Sequence, residues 1–253
     1  MDIEVIVVIA ASLFAGAIDA IVGGGGLVLV PALFLCYPAA APQALLGTNK
    51  LAAISGTAVS AVRFARSIPL EWRVLAPATG VALLGSFAGA WALTVIDPIW
   101  LRRALPFVLC ALLAYTLAKK DFGGTNDPPK SFRVRLAIVS ATALAVGFYD
   151  GLFGPGAGSF LIFLLVRFLR VDFLTASASA KVLNVASNGA AIALLATKGA
   201  MWWQVGAMLA VANVVGSLIG SRLALRYGSR FVKQIFVLVV FALICKTAAS
   251  AYL

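Results

Sequence analysis

The chain has 253 residues, of which 62% are hydrophobic and only 11% are charged, with a mean hydropathy of +1.04. An ordinary soluble domain has about 25% charged residues, so this composition excludes a soluble protein and predicts an all-α integral membrane protein. The net charge of +11 does not indicate nucleic-acid binding, because the basic residues are scattered between apolar stretches and form no basic face or tail.

Apolar segments long enough to cross a membrane recur along the whole chain. In the first 118 residues they are predicted at 5–34, 47–66, 74–95 and 101–118. A polar segment at 119–135, with Pro128 and Pro129, is predicted to be a cytoplasmic linker. Further apolar segments follow at 136–169, 178–197, 204–226 and 233–252. The start of the chain lacks the basic region of a signal peptide, so we expect the first apolar segment to be retained.

The unit 136–253 repeats the unit 1–118 with a constant shift of 131 residues and no gap. The shift pairs Asp19 with Asp150 and Lys50 with Lys181. It also pairs Trp72 with Trp203, and the GxxxG pattern at 85–89 with that at 216–220. Chance rarely matches aspartate, lysine, tryptophan and glycine in one ungapped register, so the chain is predicted to contain two copies of one unit.

The first segment of each copy is too long for one ordinary crossing and is interrupted by glycine, at 23–26 and at 154–156. If this segment crosses the membrane once, the basic residues divide almost equally between the two sides. If it turns back at the glycines as a re-entrant hairpin, one side collects fourteen basic residues against four, which satisfies the positive-inside rule. We therefore predict two inverted repeats, each a glycine-broken re-entrant hairpin plus three transmembrane helices, with both termini periplasmic. A long tilted broken helix is the alternative.

Lys50 and Lys181 are the most informative side chains, because each lies in an apolar segment at the same place in its copy. A charged group at bilayer depth costs about 2.5–3.5 kcal/mol on insertion scales, so an intramembrane lysine marks a functional site by default. The two lysines are predicted to bind an anion. The alternative is that each lies near a helix end and extends its amine to the membrane surface.

Asp19 and Asp150 precede the two glycine breaks, and we predict that they balance the charge of Lys181 and Lys50 across the repeat interface or carry a coupled proton. Alternatively, they cap a half-helix or hold the turn. The breaks expose backbone N–H groups at the starts of short helices near Leu27 and Ser159, where an anion is favoured. Gly24, Gly25, Gly26, Gly156, Ala157 and Gly158 are therefore candidate substrate ligands. The alternative for the glycines is close packing.

Other polar residues flank the lysines and are candidate donors to oxyanion oxygens: Thr48, Asn49, Ser177, Ser179 and Asn184, with Asn188 and Asn213 as further buried amides. Such residues equally serve as hydrogen-bonded contacts between helices. The two GxxxG patterns are interpreted as packing sites, either between the repeats or in a homodimer.

The glycine and lysine motifs, Gly16-Ala-Ile-Asp-Ala-Ile-Val-Gly-Gly-Gly-Gly26 and Gly47-Thr-Asn-Lys50, together with their echoes around 150–158 and at Lys181, resemble the sulfite exporter TauE/SafE permeases. The resemblance covers essentially the whole chain. It implies export of sulfite or a small organosulfonate such as sulfoacetate across the bacterial inner membrane, driven by the proton gradient. Ala180 stands where the first copy has Asn49, so the two-fold symmetry of the site is imperfect.

Two other classes of function compete with a secondary transporter. A passive channel or a permease for another small anion is compatible with the same residues. A membrane-embedded enzyme is disfavoured, because the chain has no histidine and no segment with paired carboxylates. The cysteines Cys36, Cys110 and Cys245 have the spacing of neither a metal site nor a disulfide framework. We therefore expect no metal and no cofactor.

Overall fold

The computed structural model describes residues 3–97, 99–100, 128–129, 131–199 and 201–252, and side chains up to residue 228 and at Arg230, Phe231 and Gln234. These ranges are helical and contain no strand. The helices are α1 (Ile3–Val22), α2 (Gly26–Cys36), α3 (Pro42–Ser67), α4 (Trp72–Val95), α5 (Phe132–Leu152), α6 (Ala157–Leu164), α7 (Phe173–Thr197) and α8 (Trp203–Tyr252). A π-helical turn, Leu165–Leu169, extends α6, and α8 is broken at Gly228, where φ is 71°.

The first glycine break makes the chain fold back on itself. Gly23 has a φ of 73°, a conformation that glycine adopts without steric cost. A Cβ atom on Gly25 would lie 2.6 Å from the carbonyl oxygen of Ala15, so α2 starts alongside α1 and runs back beside it. Leu29 and Leu33 of α2 pack with Val8 and Ala15 of α1. With 20 residues α1 is about 30 Å long, whereas the 11 residues of α2 extend only about 16 Å.

The second break repeats this geometry 131 residues later. Gly154, the equivalent of Gly23, has a φ of 91°. The chain then reverses from α5 into α6, and the hydroxyl of Tyr149 secures the turn by donating a hydrogen bond to the carbonyl of Pro155 at 2.6 Å. Both breaks are therefore helix–turn–half-helix units, although the second has a further left-handed glycine, Gly156, where Gly25 is right-handed.

The GxxxG patterns lie where the two halves of the chain pack against each other. A Cβ atom on Gly89 of α4 would lie 2.0 Å from the carbonyl oxygen of Phe148 in α5. The equivalent Gly220 of α8 stands in the same relation to Ala17 of α1, at 2.3 Å. Only glycine permits this approach, and in both pairs the helices run parallel. The packing expected of the two patterns thus joins the halves of one chain, and a homodimer stays a prediction.

The helices α3 and α7 form the centre of the molecule and run antiparallel to each other. Near one end the Thr48 hydroxyl accepts a hydrogen bond from the N–H of Trp202, just beyond α7, at 3.1 Å. Near the other end the Lys181 ammonium lies 5.7 Å from the ring centroid of Phe64. The end of the bundle where α3 finishes and α4, α5 and α7 begin is called the linker end below, and the other is called the opposite end.

The outside of the bundle is apolar, and polar or charged side chains such as Lys50, Lys181 and Asn184 are buried inside it among the hydrophobic core. Phe14 of α1, Leu84 of α4 and Val211 of α8 are 64%, 71% and 68% exposed. Within the described residues, five helical segments are long and apolar enough to cross a membrane: Ile3–Val22, Trp72–Val95, Phe132–Leu152, Phe173–Thr197 and Trp203–Gly228. Although α3 has 26 residues, it is not among them, because polar side chains that face the protein interior lower its hydropathy. The chain is therefore a multi-pass helical membrane protein.

The helices differ from the predicted apolar segments mainly at their N-terminal ends, where they begin earlier and include polar residues. The segment predicted at 47–66 begins at Pro42, because proline suits the first turn of a helix. The segment predicted at 178–197 begins at Phe173, because the Asp172 carboxylate caps the N–H groups of Leu174 and Thr175. α5 begins at Phe132, inside the predicted linker. The predicted helix 101–118 and most of the linker lie outside the described residues.

Candidate functional site

The two buried lysines each reach across to the aspartate of the other half of the chain. Lys50 of α3 and Lys181 of α7 are both 1% exposed. The Lys50 ammonium donates to the backbone carbonyl of Asp150, and the Lys181 ammonium donates to that of Asp19 at 2.5 Å. The sequence spacing predicted these cross-repeat partners, and the structure brings all four residues into two equivalent sites near the glycine breaks.

The Lys50 site is a closed ion pair. Its ammonium lies 3.1 Å from Oδ1 of Asp150, which is itself only 3% exposed. The other carboxylate oxygen of Asp150 accepts a hydrogen bond from the hydroxyl of Ser187. Both charges are therefore neutralised and their polar atoms satisfied inside the protein, the arrangement that a buried charge requires.

The Lys181 site lacks this pairing. The ion pairs in the described part of the chain, with nitrogen and oxygen within 4.0 Å, join Lys50 to Asp150 and Arg135 to Glu71. The Asp19 carboxylate accepts a hydrogen bond from the Thr57 hydroxyl at 2.8 Å. Lys181 is thus a buried cation held by a carbonyl and by the face of Phe64, with no carboxylate in direct contact.

A narrow cleft opens at the Lys181 site. Its polar lining consists of Asp19, Thr57, Lys181 and Asn184, and its backbone lining comes from Gly23 and Gly158. Ile162 and Ala180 complete the wall. In this conformation the cleft is too narrow to admit a water-sized sphere. The cleft therefore joins an unpaired cation, an amide and backbone from both glycine breaks in one small volume.

The two glycine breaks are in contact with each other. Of their predicted substrate ligands, some serve close packing and others lie at one of the two lysine sites. A Cβ atom on Gly158 would lie 2.6 Å from the carbonyl oxygen of Gly23, so this glycine serves close packing and also lines the cleft. Gly25 packs equally tightly on Ala15 of α1. Gly26 instead lies beside Pro155 and the Asn49 amide, on the Lys50 side.

Gly24 packs near Ser159, Gly156 packs near Leu27, and Ala157 is buried in the core. The N–H groups of the half-helix starts are partly used already. Those of Leu27 and Ser159 donate to Gly24 and Gly23, both at 3.0 Å. The breaks are thus less open to an anion than their sequences alone indicate.

The polar residues beside the lysines also divide into two groups. The hydroxyls of Thr48 and Ser179 donate to carbonyls one turn back, at 2.7 and 2.9 Å, which is the helix-contact alternative. Asn184 lines the cleft and accepts hydrogen bonds from the Asn188 amide. Asn49 is 4% exposed and its Oδ1 atom has no donor among the described residues. Asn49 and Asn184 are therefore the flanking amides that the structure brings close to the lysines.

Thr57, Ser187 and Phe64 also belong to the two sites and were not predicted from the sequence. Thr57 lies seven residues after Lys50, two helical turns along the same face of α3, and its equivalent in the second copy is Asn188. Ser187 lies one turn after Asn184. Helical spacing from residues already chosen therefore carried a signal for the two hydroxyls, whereas no such signal identified Phe64.

These features define a class: a multi-pass helical membrane protein with polar, charged sites buried between two interlocked halves. In the described ranges no group of three or more cysteine, aspartate or glutamate residues could hold a metal ion.

The sulfite exporter TauE/SafE family matches residues 8–247, and the chain belongs to this family. It is a family of transporters and not of enzymes. A probable membrane transporter protein of a Sinorhizobium species is 33% identical over 95% of this chain and 90% of its own length. Probable membrane transporter proteins of Haemophilus influenzae and Escherichia coli are 32% and 31% identical, covering 92% and 90% of this chain and 89% and 83% of their own lengths. No solved structure matches the chain.

Proposed function

We propose that the protein is a secondary transporter that exports a small sulfur oxyanion, sulfite or a small organosulfonate, across the bacterial inner membrane. The observation that carries this proposal is Lys181, a buried cation with no carboxylate in direct contact, beside a cleft. A buried charge needs a partner, and a small anion in the cleft would supply it. The family's name favours sulfite as the anion.

The proposed architecture is a pair of inverted repeats, each a re-entrant hairpin and three transmembrane helices. The antiparallel course of α3 and α7, which are equivalent in the two copies, supports the inversion. The half-length α2 and α6, each folded back at a glycine break, support the hairpins. The excess of basic residues at the linker end supports a cytoplasmic linker and periplasmic termini.

The proposed substrate site contains Lys181, Asn184 and the backbone at Gly158, with Asp19 at its edge. In the opposite state of an alternating-access cycle, the site around Lys50 would open, with Asn49 and Gly26 as its candidate ligands. Inverted repeats exchange conformations in this way, so the pairing of Lys50 with Asp150 would loosen as Asp19 pairs with Lys181. Asp19 would carry the coupled proton, and Asp150 would balance the charge of Lys50.

The test is sulfite flux into proteoliposomes, with and without a pH gradient, for the wild type and for Lys181→Ala and Lys50→Ala. We expect saturable flux that responds to the gradient and is lost in Lys181→Ala, because the anion loses its countercharge. Lys198→Ala, which removes an exposed lysine at the end of the same helix, is the matched control and should transport normally.

The outcomes separate the competing functions. An unchanged sulfite affinity in folded Lys181→Ala would disprove the lysine-centred site. Flux that neither saturates nor responds to the pH gradient would indicate a passive channel. If the folded wild type does not transport sulfite, its specificity is measured instead by comparing the transport of organosulfonates such as sulfoacetate with that of other small oxyanions.

A further inference from the structure

A row of polar side chains leads from Asp19 towards the linker end, between α3 and α8. Thr57 donates to the Asp19 carboxylate, and Ser60, 0% exposed, follows one turn later on α3. At the outer end of the row, the Arg63 guanidinium donates to the Ser221 hydroxyl at 3.2 Å and to the Leu218 carbonyl at 2.7 Å. Thr57, Ser60, Arg63 and Ser221 are called the polar ladder below.

The amide of Asn213 adds a further polar atom to this interface. Asn213 is 2% exposed and its Oδ1 atom has no donor among the described residues. This oxygen lies against Gly56, the neighbour of Thr57. A buried acceptor with no protein donor usually binds water, so the interface suits the entry of water when the helices part.

Thr57 corresponds to the polar Asn188, but the other three ladder positions have apolar equivalents in the second half of the chain. The shift of 131 residues relates Ser60 to Ala191, Arg63 to Leu194 and Ser221 to Ala90. Ala90, Ala191 and Leu194 pack together as a buried hydrophobic cluster, with Leu194 only 9% exposed. This apolar cluster lies between Asp150 and the opposite end, just as the polar ladder lies between Asp19 and the linker end.

We propose that the polar ladder is the route by which protons reach Asp19 from the linker end, and that the apolar cluster denies Asp150 an equivalent route. This inference rests on the proposed function and deepens it. The step is a proton transfer in which a proton from water forms an O–H bond on a carboxylate oxygen of Asp19. The bond breaks when Asp19 passes the proton to another water molecule, and no redox partner is needed.

The charged groups around Asp19 fit this role. Lys181 of α7 is the cation beside it, and Arg63 of α3 lies at the outer end of the ladder. The helices α2 and α6 contain no Asp, Glu, Lys or Arg, and the first charged residue of α8 is Arg222, immediately after Ser221. Protonation of Asp19 would leave Lys181 as the net charge at the cleft and so favour an anion there.

Cysteine accessibility tests the route without any transport assay. In a background with the native cysteines replaced, Ser60→Cys and Ser221→Cys are compared with Ala191→Cys and Ala90→Cys at the equivalent positions. A membrane-impermeant cationic thiosulfonate is applied from either side of proteoliposomes, with the exposed Ser67→Cys as the marker of the linker end. We expect the two serine variants to react from the linker side at least about tenfold faster than the alanine variants.

Three results of the labelling would overturn the proposal. The first is equal rates at serine and alanine positions, the second is reaction from the opposite side only, and the third is no reaction at either serine position while Ser67→Cys reacts. A wild type without sulfite flux would count against the proposed function alone, because the labelling pattern decides the route independently.

The triple variant Ser60→Ala, Arg63→Leu, Ser221→Ala gives three ladder positions the residues of the apolar cluster. It tests whether proton coupling depends on the polar ladder. We expect sulfite exchange at equal pH on both sides to persist, and the acceleration of flux by a pH gradient to disappear. Acceleration equal to that of the wild type would contradict the route. If the triple variant does not fold, the double variant Ser60→Ala, Ser221→Ala keeps Arg63 and serves the same comparison.

Discussion

The Lys50 and Lys181 sites are equivalent in sequence and backbone, yet one is a closed ion pair and the other is not. Both ammonium groups donate to the backbone carbonyl of the partner aspartate. The hydroxyls that hold the two carboxylates come from positions that are not equivalent. Ser187 of α7 donates to Asp150 where α3 has Gly56, whereas Thr57 of α3 donates to Asp19 where α7 has Asn188. The surroundings of the two aspartates therefore differ although the aspartates and lysines themselves recur in register.

The largest effect is expected from breaking the closed pair. Lys50→Met leaves the Asp150 carboxylate buried without its cation, which should lower the free energy of unfolding by about 3–5 kcal/mol. Lys181→Met should cost clearly less, because no carboxylate is in direct contact with Lys181. Thermal unfolding of the detergent-solubilised proteins measures both, and Lys50→Met combined with Asp150→Asn should recover stability. Equal losses for the two lysine variants would remove the distinction between the sites.

The hydroxyl of Thr57 is expected to maintain the difference between the sites. Thr57→Val removes a hydrogen bond to a charged group, worth about 1.5–3 kcal/mol. It should also free Asp19 to pair with Lys181, so that sulfite affinity falls about tenfold, or about 1.4 kcal/mol. Thr79→Val is the matched control, since that hydroxyl donates only to the carbonyl of Leu75 one turn back. A Thr57→Val protein that binds sulfite as tightly as the wild type would show that the hydroxyl does not separate the sites.

Replacing a GxxxG glycine by alanine should lower the free energy of unfolding by a similar amount in both copies. Gly89→Ala forces a methyl group onto the backbone of α5, and Gly220→Ala does the same against α1. Each should cost about 1–3 kcal/mol, because neither helix can move aside without opening the interface. The Cβ atom added by Gly80→Ala would have no heavy atom within 4 Å. This control variant should therefore leave the unfolding midpoint unchanged or slightly raised. A tolerated Gly89→Ala beside a damaging Gly220→Ala would break the equivalence of the two interfaces.

The smallest effect is expected at the surface ion pair. Arg135 contacts both carboxylate oxygens of Glu71 at the linker end, the shortest distance being 2.7 Å, but Glu71 is exposed to solvent. Glu71→Gln should therefore give no resolvable change in the unfolding midpoint, in contrast to Lys50→Met. A shift as large as that of the buried pair would mean that burial is not what separates these two ion pairs.

Several features were accessible from the sequence because they depend on composition and on repeated residues. Long apolar segments with few charges predict membrane-crossing helices, since the bilayer leaves the backbone no other partners. The shift of 131 residues identified the two lysines, the two aspartates and their crossed relation, because a residue that recurs in register occupies an equivalent place in each copy. The helix starts at Pro42 and Phe173 were placed too late, since hydropathy does not register a proline or an aspartate cap.

The tertiary structure alone decided how the equivalent residues differ. Both ammonium groups meet a backbone carbonyl, but nothing in the spacing of Lys50 and Lys181 indicates that only Lys50 also contacts the carboxylate, because that contact depends on distances between helices. The same holds for the GxxxG glycines, whose partners are distant in sequence. Sequence determined the membrane class, the duplication and the candidate residues through local chemistry. Long-range packing decided which charges are paired, because pairing is a property of distances between segments that the sequence does not contain.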